Sequence, residues 1–469
     1  MQQKQLISMI LHRMRKTRSK AAENISSVLN VKTSILLVWS ALFVAVSLSP
    51  GCTSQSKRQM EPQNIEIGEF EADPAVWGKR YPDHYDSYLK NNQISRTEYG
   101  GSDKYSKLER EPLLKILFNG YSFSKEYNED RGHTYALEDI RMIDPARKSA
   151  GTCITCKTAN FKELYQKYGE TYYTQPITQL LEESKHPTNC IDCHDPKTNE
   201  LVITRPALKE AFERQGRDIT KASRAEMRSL VCAQCHVEYY FAPGTKKLVF
   251  PWDKGVKADQ IYSYYEEINF SDWTHPDSKT PLLKAQHPDW QLFQGSTHQE
   301  NNVSCADCHM PYVRVGSSKI SSHWWTSPLK QISDSCGTCH RQSEDYLKDR
   351  ILYTQRRVYD QMKKAEQAVA GAIASIGETS KNPAANVAKL DEARKLHRQA
   401  QWYVDYISSE NSMGFHNPQE ALRLLSESQR LAGESRVRAL ESVSAVSLPP
   451  LPNPEPQMIT TEEDKSPKK

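Results

Sequence analysis

Cys153-Ile154-Thr155-Cys156-Lys157 is the stretch of this chain whose residue types and spacing promise chemistry of their own. It is the first of five Cys-x-x-Cys pairs. The other four close on histidine: Cys190, Cys193 and His194; Cys232, Cys235 and His236; Cys305, Cys308 and His309; Cys336, Cys339 and His340. Cys-x-x-Cys-His is the attachment signature of c-type haem, in which two thioethers anchor the porphyrin and the next residue ligates iron. Five pairs therefore predict five covalently bound haem c groups. Lysine binds iron only as the neutral amine, so metal and desolvation must overcome an intrinsic pKa of about 10.4. So unusual a proximal ligand, Lys157, marks a haem that does more than pass electrons.

Zinc and disulfides are the competing uses of such cysteines. A zinc ribbon does not need histidine as the immediate next residue four times over. Ten of the eleven cysteines fall inside the motifs, leaving Cys52, and a two-residue spacing is tight for a structural bridge. Haem accounts for the whole pattern.

The elements that must hold these groups read as a mainly α, multihaem cytochrome c fold: an irregular haem-wrapping region followed by long C-terminal helices. Within 469 residues there are 19 glycines and 25 prolines and little β-type alternation. Residues 74–345 form the expected pentahaem catalytic region, with unequal intervals between motifs rather than a regular repeat. Residues 346–445 form the long-helix dimerisation region. Val358, Met362, Ala365, Val369, Ala372 and Ile376 follow three- and four-residue steps, as do Val387, Leu390, His397, Val404 and Ile407. Asn417-Pro418 offers a capped start for a further helix to about Ser442. Residues 446–469 are proline-rich, charged and expected to be disordered.

A net charge of +4 speaks against nucleic acid as a partner. Residues 1–52 look like an export leader: Arg13, Arg15, Lys16, Arg18, Lys20 and Lys32 precede an apolar run from Ile35 to Leu48. That run is shorter than the roughly 20 residues of a membrane span. Lipid anchoring through Cys52, simple cleavage and an uncleaved anchor all stay open. Each delivers the protein to the periplasmic side of the cytoplasmic membrane, with residues 53–73 as a tether.

One Cys-x-x-Cys-Lys followed by four Cys-x-x-Cys-His resembles the pentahaem, ammonia-forming cytochrome c nitrite reductases. The segments between the motifs agree: Tyr99-Gly100-Gly101-Ser102, Gly120-Tyr121-Ser122-Phe123-Ser124, Arg131-Gly132-His133, Cys235-His236-Val237-Glu238-Tyr239-Tyr240, Lys284-Ala285-Gln286-His287-Pro288 and Cys308-His309-Met310-Pro311. The resemblance runs from about residue 74 to 440. It implies six-electron reduction of nitrite to ammonium at the lysine-ligated haem, fed by four bis-histidine haems.

By the same resemblance, His133 serves the haem of Cys232, His323 that of Cys190, His298 that of Cys336 and His416 that of Cys305. His397, on an apolar helical stripe, competes with His416 for the last of these. His84, His186 and His275 have no matching role and are expected at the surface or beside a ligand. Arg147, Tyr239 and His287 would form the distal pocket, with His287 donating protons, Arg147 stabilising anionic charge and Tyr239 hydrogen-bonding intermediates. Arg131 and Arg141 compete with Arg147. One calcium ion is implied, held by side-chain oxygens of Glu238 and Gln286 and backbone carbonyls of Tyr239 and Lys284. A homodimer and a quinol-oxidising multihaem cytochrome as electron donor, membrane-bound, complete the expectation. A pure electron wire is the rival class, and needs neither Lys157 nor a polar pocket. Hydroxylamine oxidoreductases resemble the arrangement but usually carry eight haems.

Overall fold

The computed structural model describes residues 61–143 and 150–443. The leader, Cys52, Arg147 and the C-terminal tail therefore lie outside the described residues.

From Pro74 to Ser335 the chain is a succession of short helices, 3-10 turns and four two-stranded antiparallel sheets. Proline sets the pattern early. Pro74 opens the helix Pro74–Arg80, where its missing N–H costs nothing, and the Asp73 side chain caps Ala75 N. Of the hairpins, Tyr240–Phe241 pairs with Leu248–Val249 directly after Glu238 and Tyr239, and Trp273–Thr274 pairs with Pro281–Leu282 directly before Lys284. Both segments with proposed pocket and calcium residues thus leave a sheet edge, which fixes their direction.

Three long helices follow: Glu344–Thr379, Val387–Ser409 and Pro418–Glu441. Each has a side-chain N-cap, from Ser343, Asn386 and Asn417 respectively, and Pro418 stands at the first turn of the third. All six stripe residues of the first helix, from Val358 to Ile376, are buried. In the second helix Leu390, His397, Val404 and Ile407 are buried, but Val387 is 67% exposed. It is the first residue of that helix, ahead of the packed face. Among the described residues no helix is long and apolar enough to cross a membrane.

The second long helix is bolted to the haem-wrapping region by a buried ion pair. Lys284 Nζ lies 2.8 Å from Asp405 Oδ1, and Ser409 Oγ joins it at 2.8 Å. Asp405 Oδ2 accepts from Ala285 N at 2.7 Å. The segment Lys284–Asp289 is thereby held against a rigid helix, a firmer support than a surface loop provides.

Candidate active site

None of the ten cysteines of the five motifs is in a disulfide. Their motifs stand next to one another. The Cys156 and Cys235 thiols are hydrogen-bonded, as are those of Cys232 and Cys305. Cys193 feels the charge of Cys235, and Cys308 that of Cys336. First, third, fourth and fifth motifs form a row, with the second beside the third.

Four pairs of histidines face each other across these motifs. His133 and His236 have ring centroids 5.6 Å apart, with their Nε2 atoms at 3.4 Å. The centroids of His194 and His323 are 6.1 Å apart, those of His298 and His340 6.3 Å, and those of His309 and His416 6.4 Å. A metal ion between two imidazoles needs their nitrogens about 4 Å apart, twice a nitrogen–metal bond of about 2 Å.

The other ring nitrogen decides whether a histidine suits this use. A ligating imidazole donates Nδ1–H to a fixed acceptor and keeps Nε2 for the metal. His194 Nδ1 meets Asn199 O at 2.9 Å, His309 Nδ1 meets Thr326 O at 3.1 Å, and His323 Nδ1 meets Ser321 O at 2.9 Å. His236 Nδ1 meets a carboxylate, Asp289 Oδ2, at 2.9 Å. His397 fails the same test, because Thr280 Oγ1 and Gln401 Oε1 take both its nitrogens at 2.9 and 3.0 Å. It is a buried core histidine.

His275 departs from the sequence expectation. It is fully buried rather than superficial, with Nε2 on Ile116 O at 2.9 Å and Nδ1 accepting from Asp277 N at 3.2 Å. A polar side chain so enclosed persists because both nitrogens are satisfied. His84 packs edge-on against His323, with centroids 5.3 Å apart, and stands beside a proposed ligand as expected.

Around the first motif, Lys157 Nζ donates to Asp130 Oδ2 at 2.9 Å. Burial lowers the Lys157 pKa and Asp130 opposes it, and the net direction is upward. Tyr239 feels the charges of Cys156 and Cys153, and burial pushes its phenol well above the usual range. His287 is pushed down to about 4, first by desolvation and then by the Lys157 charge. Its ring lies 6.4 Å from that of His236. Lys157 and Tyr239, both half-buried, and the exposed His287 thus border the first motif together. The two competitors of Arg147 are engaged elsewhere. Arg131 forks onto Asp139, with Nε and Nη2 at 2.8 and 2.7 Å from Oδ1, and Arg141 Nη2 donates to Leu181 O at 2.9 Å.

Glu238 is completely buried and makes no ion pair among the described residues. It accepts from Tyr265 O–H at 2.9 Å and Gln286 N at 2.6 Å. Burial drives its carboxyl well above the usual range. Gln286 Nε2 in turn donates to Lys284 O at 3.1 Å. A side-chain amide can be rotated to present oxygen instead. Glu238, Gln286 and the Lys284 carbonyl therefore converge on one spot where a hard cation would compensate the buried carboxylate.

Arg205 was not singled out from the sequence. It is 1% exposed and clamps the lysine motif, with Nε donating to Thr155 O at 3.1 Å and Nη2 to Thr158 O at 3.0 Å. Nη1 pairs with Asp192, inside the second motif, at 2.5 Å. Gln234, inside the third motif, accepts from Arg205 N at 3.0 Å and donates to Asp192 O at 3.2 Å. The variable residues of three motifs are thus knitted together. A buried-type Asp and Gln between paired cysteines is the only sequence signal for this.

Comparison with known proteins shows the family and the fold. The cytochrome c552 family model matches residues 73–468. A cytochrome c-552 of Bacteroides fragilis is 39% identical over 428 residues, covering 88% of this chain and 85% of the relative. The cytochrome c nitrite reductase subunit NrfA of Nitratidesulfovibrio vulgaris is 37% identical over 444 residues, covering 86% of this chain and 85% of that one. A solved catalytic subunit (NrfA) of cytochrome c nitrite reductase from Desulfovibrio desulfuricans superposes with a TM-score of 0.77 at 38% identity. It covers 81% of this chain and 88% of its own, and is described for the relevance of its two calcium sites.

Proposed function

Because the chain belongs to the cytochrome c552 family, that of the cytochrome c nitrite reductases, we propose that it is an oxidoreductase that reduces nitrite to ammonium with six electrons at the haem c that Lys157 would ligate. The observation that carries this reading is the gathering of Lys157, Tyr239 and His287 around Cys153 and Cys156. A chain built only to conduct electrons has no use for it.

The donor sets fit the groups they would hold. Lys157 would hold the iron at the first motif, and the pairs His194/His323, His236/His133, His309/His416 and His340/His298 would hold it at the other four. Bound there, haem c would supply the electrons and, at the lysine motif, a metal centre for nitrite. Asp130 holds the Lys157 amine in place through its hydrogen bond. His287 hands protons to the departing oxygens, and Tyr239 donates a hydrogen bond from its hydroxyl. Arg147 would add the fixed positive charge that favours an anionic substrate. Glu238 and Gln286 side chains, with the Tyr239 and Lys284 carbonyls, would hold one calcium ion. That ion would set Tyr239 and the Lys284–His287 segment in register. A homodimer, a membrane-bound multihaem donor and a periplasmic location belong to the same reading. Tyr346 and Tyr353, both exposed and one heptad apart on the first long helix, offer a face for the second copy.

The test is product stoichiometry. Purified holoprotein supplied with reduced viologen and nitrite is expected to form one ammonium per six electrons consumed. Electron uptake that leaves nitrite untouched would sink the proposal.

A further inference from the structure

The carboxylate of Asp289 meets two of the proposed axial histidines, and they belong to different motifs. Its Oδ2 accepts from His236 Nδ1 at 2.9 Å, and its Oδ1 lies 3.9 Å from His416 Nδ1. Glu410 Oε2 stands on the other side of His416 Nδ1 at 3.4 Å. That nitrogen is buried, and Glu410 Oε2 is its nearer carboxylate oxygen. It is therefore aimed at two buried carboxylates, with Asp289 6% and Glu410 4% exposed.

Both carboxylates are locked by backbone and amide donors. Asn411 N and Nδ2 donate to Asp289 at 2.6 and 2.8 Å. Ser412 N and Oγ donate to Glu410 Oε2 at 2.8 and 2.6 Å, and Gly414 N donates to Oε1. Ser412 Oγ accepts in turn from His416 N at 2.8 Å. The loop between the second and third long helices is folded around these two acids. Asp289 is also tied to the surroundings of the first motif, since its N–H donates to His287 O at 2.7 Å and Trp290 N to His236 O at 3.0 Å.

We propose that Asp289 is a positioning residue that fixes the tautomer of His236 and, through its buried charge beside His236 and His416, lowers the reduction potential of two haems at once, those of Cys232 and Cys305, with Glu410 acting on the second alone. The proposal rests on the bis-histidine reading above. Its physical cause is simple. A carboxylate at Nδ1 gives an axial imidazole anionic character, which stabilises the ferric over the ferrous state. In a buried setting that charge acts with little screening. The same residue then sets two haems beside the pocket without touching substrate.

The experiment is a spectropotentiometric titration of holoprotein, following the low-spin bis-histidine haems by electron paramagnetic resonance. Asp289→Asn is expected to move two of the four components at least tenfold towards ferrous, about 59 mV upward for a one-electron couple. Asp289→Glu, which keeps the charge, is expected to stay closer to the parent on both. Glu410→Gln is expected to move one component, and this arm stands even if Asp289→Asn does not fold. Four components that all stay put, or all move together, in variants that retain five haems would overturn the proposal. A parent protein without four bis-histidine signals would overturn the ligand reading beneath it, and that is visible before any substitution is made.

Discussion

Replacing His287 with asparagine is expected to slow ammonium formation at saturating nitrite by roughly a hundredfold to ten-thousandfold, the usual contribution of a positioned proton donor. Asparagine keeps a hydrogen-bond donor but cannot pass on a proton. The effect should fall on kcat more than on KM, because every nitrite must take up protons on its way to ammonium. Displacement of the segment is not the expected cause. Ala285 N is held by Asp405, Gln286 N by Glu238 and His287 O by Asp289 N, none of which involves the imidazole. The haem content and the unfolding midpoint of the variant should therefore match the parent. A rate within tenfold of the parent would take the proton-donor role away from His287.

Arg205→Ala is expected to cost about 3–5 kcal/mol of stability, the loss that follows when one partner of a buried ion pair is removed and the other is stranded. Burial already pushes the Asp192 carboxyl up, and Arg205 is what opposes it. Without the guanidinium, Asp192 Oδ1 and the carbonyls of Thr155 and Thr158 lose this donor, and Asp192 keeps only Asn189 N on Oδ2. Arg205→Lys should recover only part of the loss, since one ammonium cannot reproduce a fork that reaches three acceptors. Urea unfolding of the holoproteins measures this as a lowered midpoint. The same variant should show a disturbed lysine motif, because Thr155 and Thr158 flank Cys156 and Lys157. A loss below about 1 kcal/mol would mean that the clamp is not what holds the motif.

What could be read from the sequence follows from how local each feature is. Haem attachment needs two cysteines and a ligand within five consecutive residues, so the motifs announce themselves. The long helices were legible from apolar spacing and from Asn417-Pro418, since a stripe and a cap are both local. Val387 broke the pattern because the first turn extends beyond the packed face. Pairing across the motifs is a matter of tertiary structure. His397 is set apart by what its two ring nitrogens touch, and one of those partners, Thr280, lies 117 residues away. His275 read as superficial because nothing near it shows that Ile116 supplies its acceptor. Arg205 stayed hidden for the same reason. In sequence it is an arginine before a helix-starting proline, while its acceptors lie 50, 47 and 13 residues away. Asp289 looked like the residue after a proposed calcium and pocket segment, and its partners come from two other parts of the chain.

The most direct test of the account compares steady-state nitrite reduction by the parent holoprotein with that of Lys157→His. The account places the chemistry at the one motif closed by lysine, so converting it to the ligand of the other four should change turnover sharply while the four bis-histidine haems keep their low-spin signals. Unchanged ammonium production by Lys157→His, with five haems attached, would contradict it and move the active site away from Cys153 and Cys156.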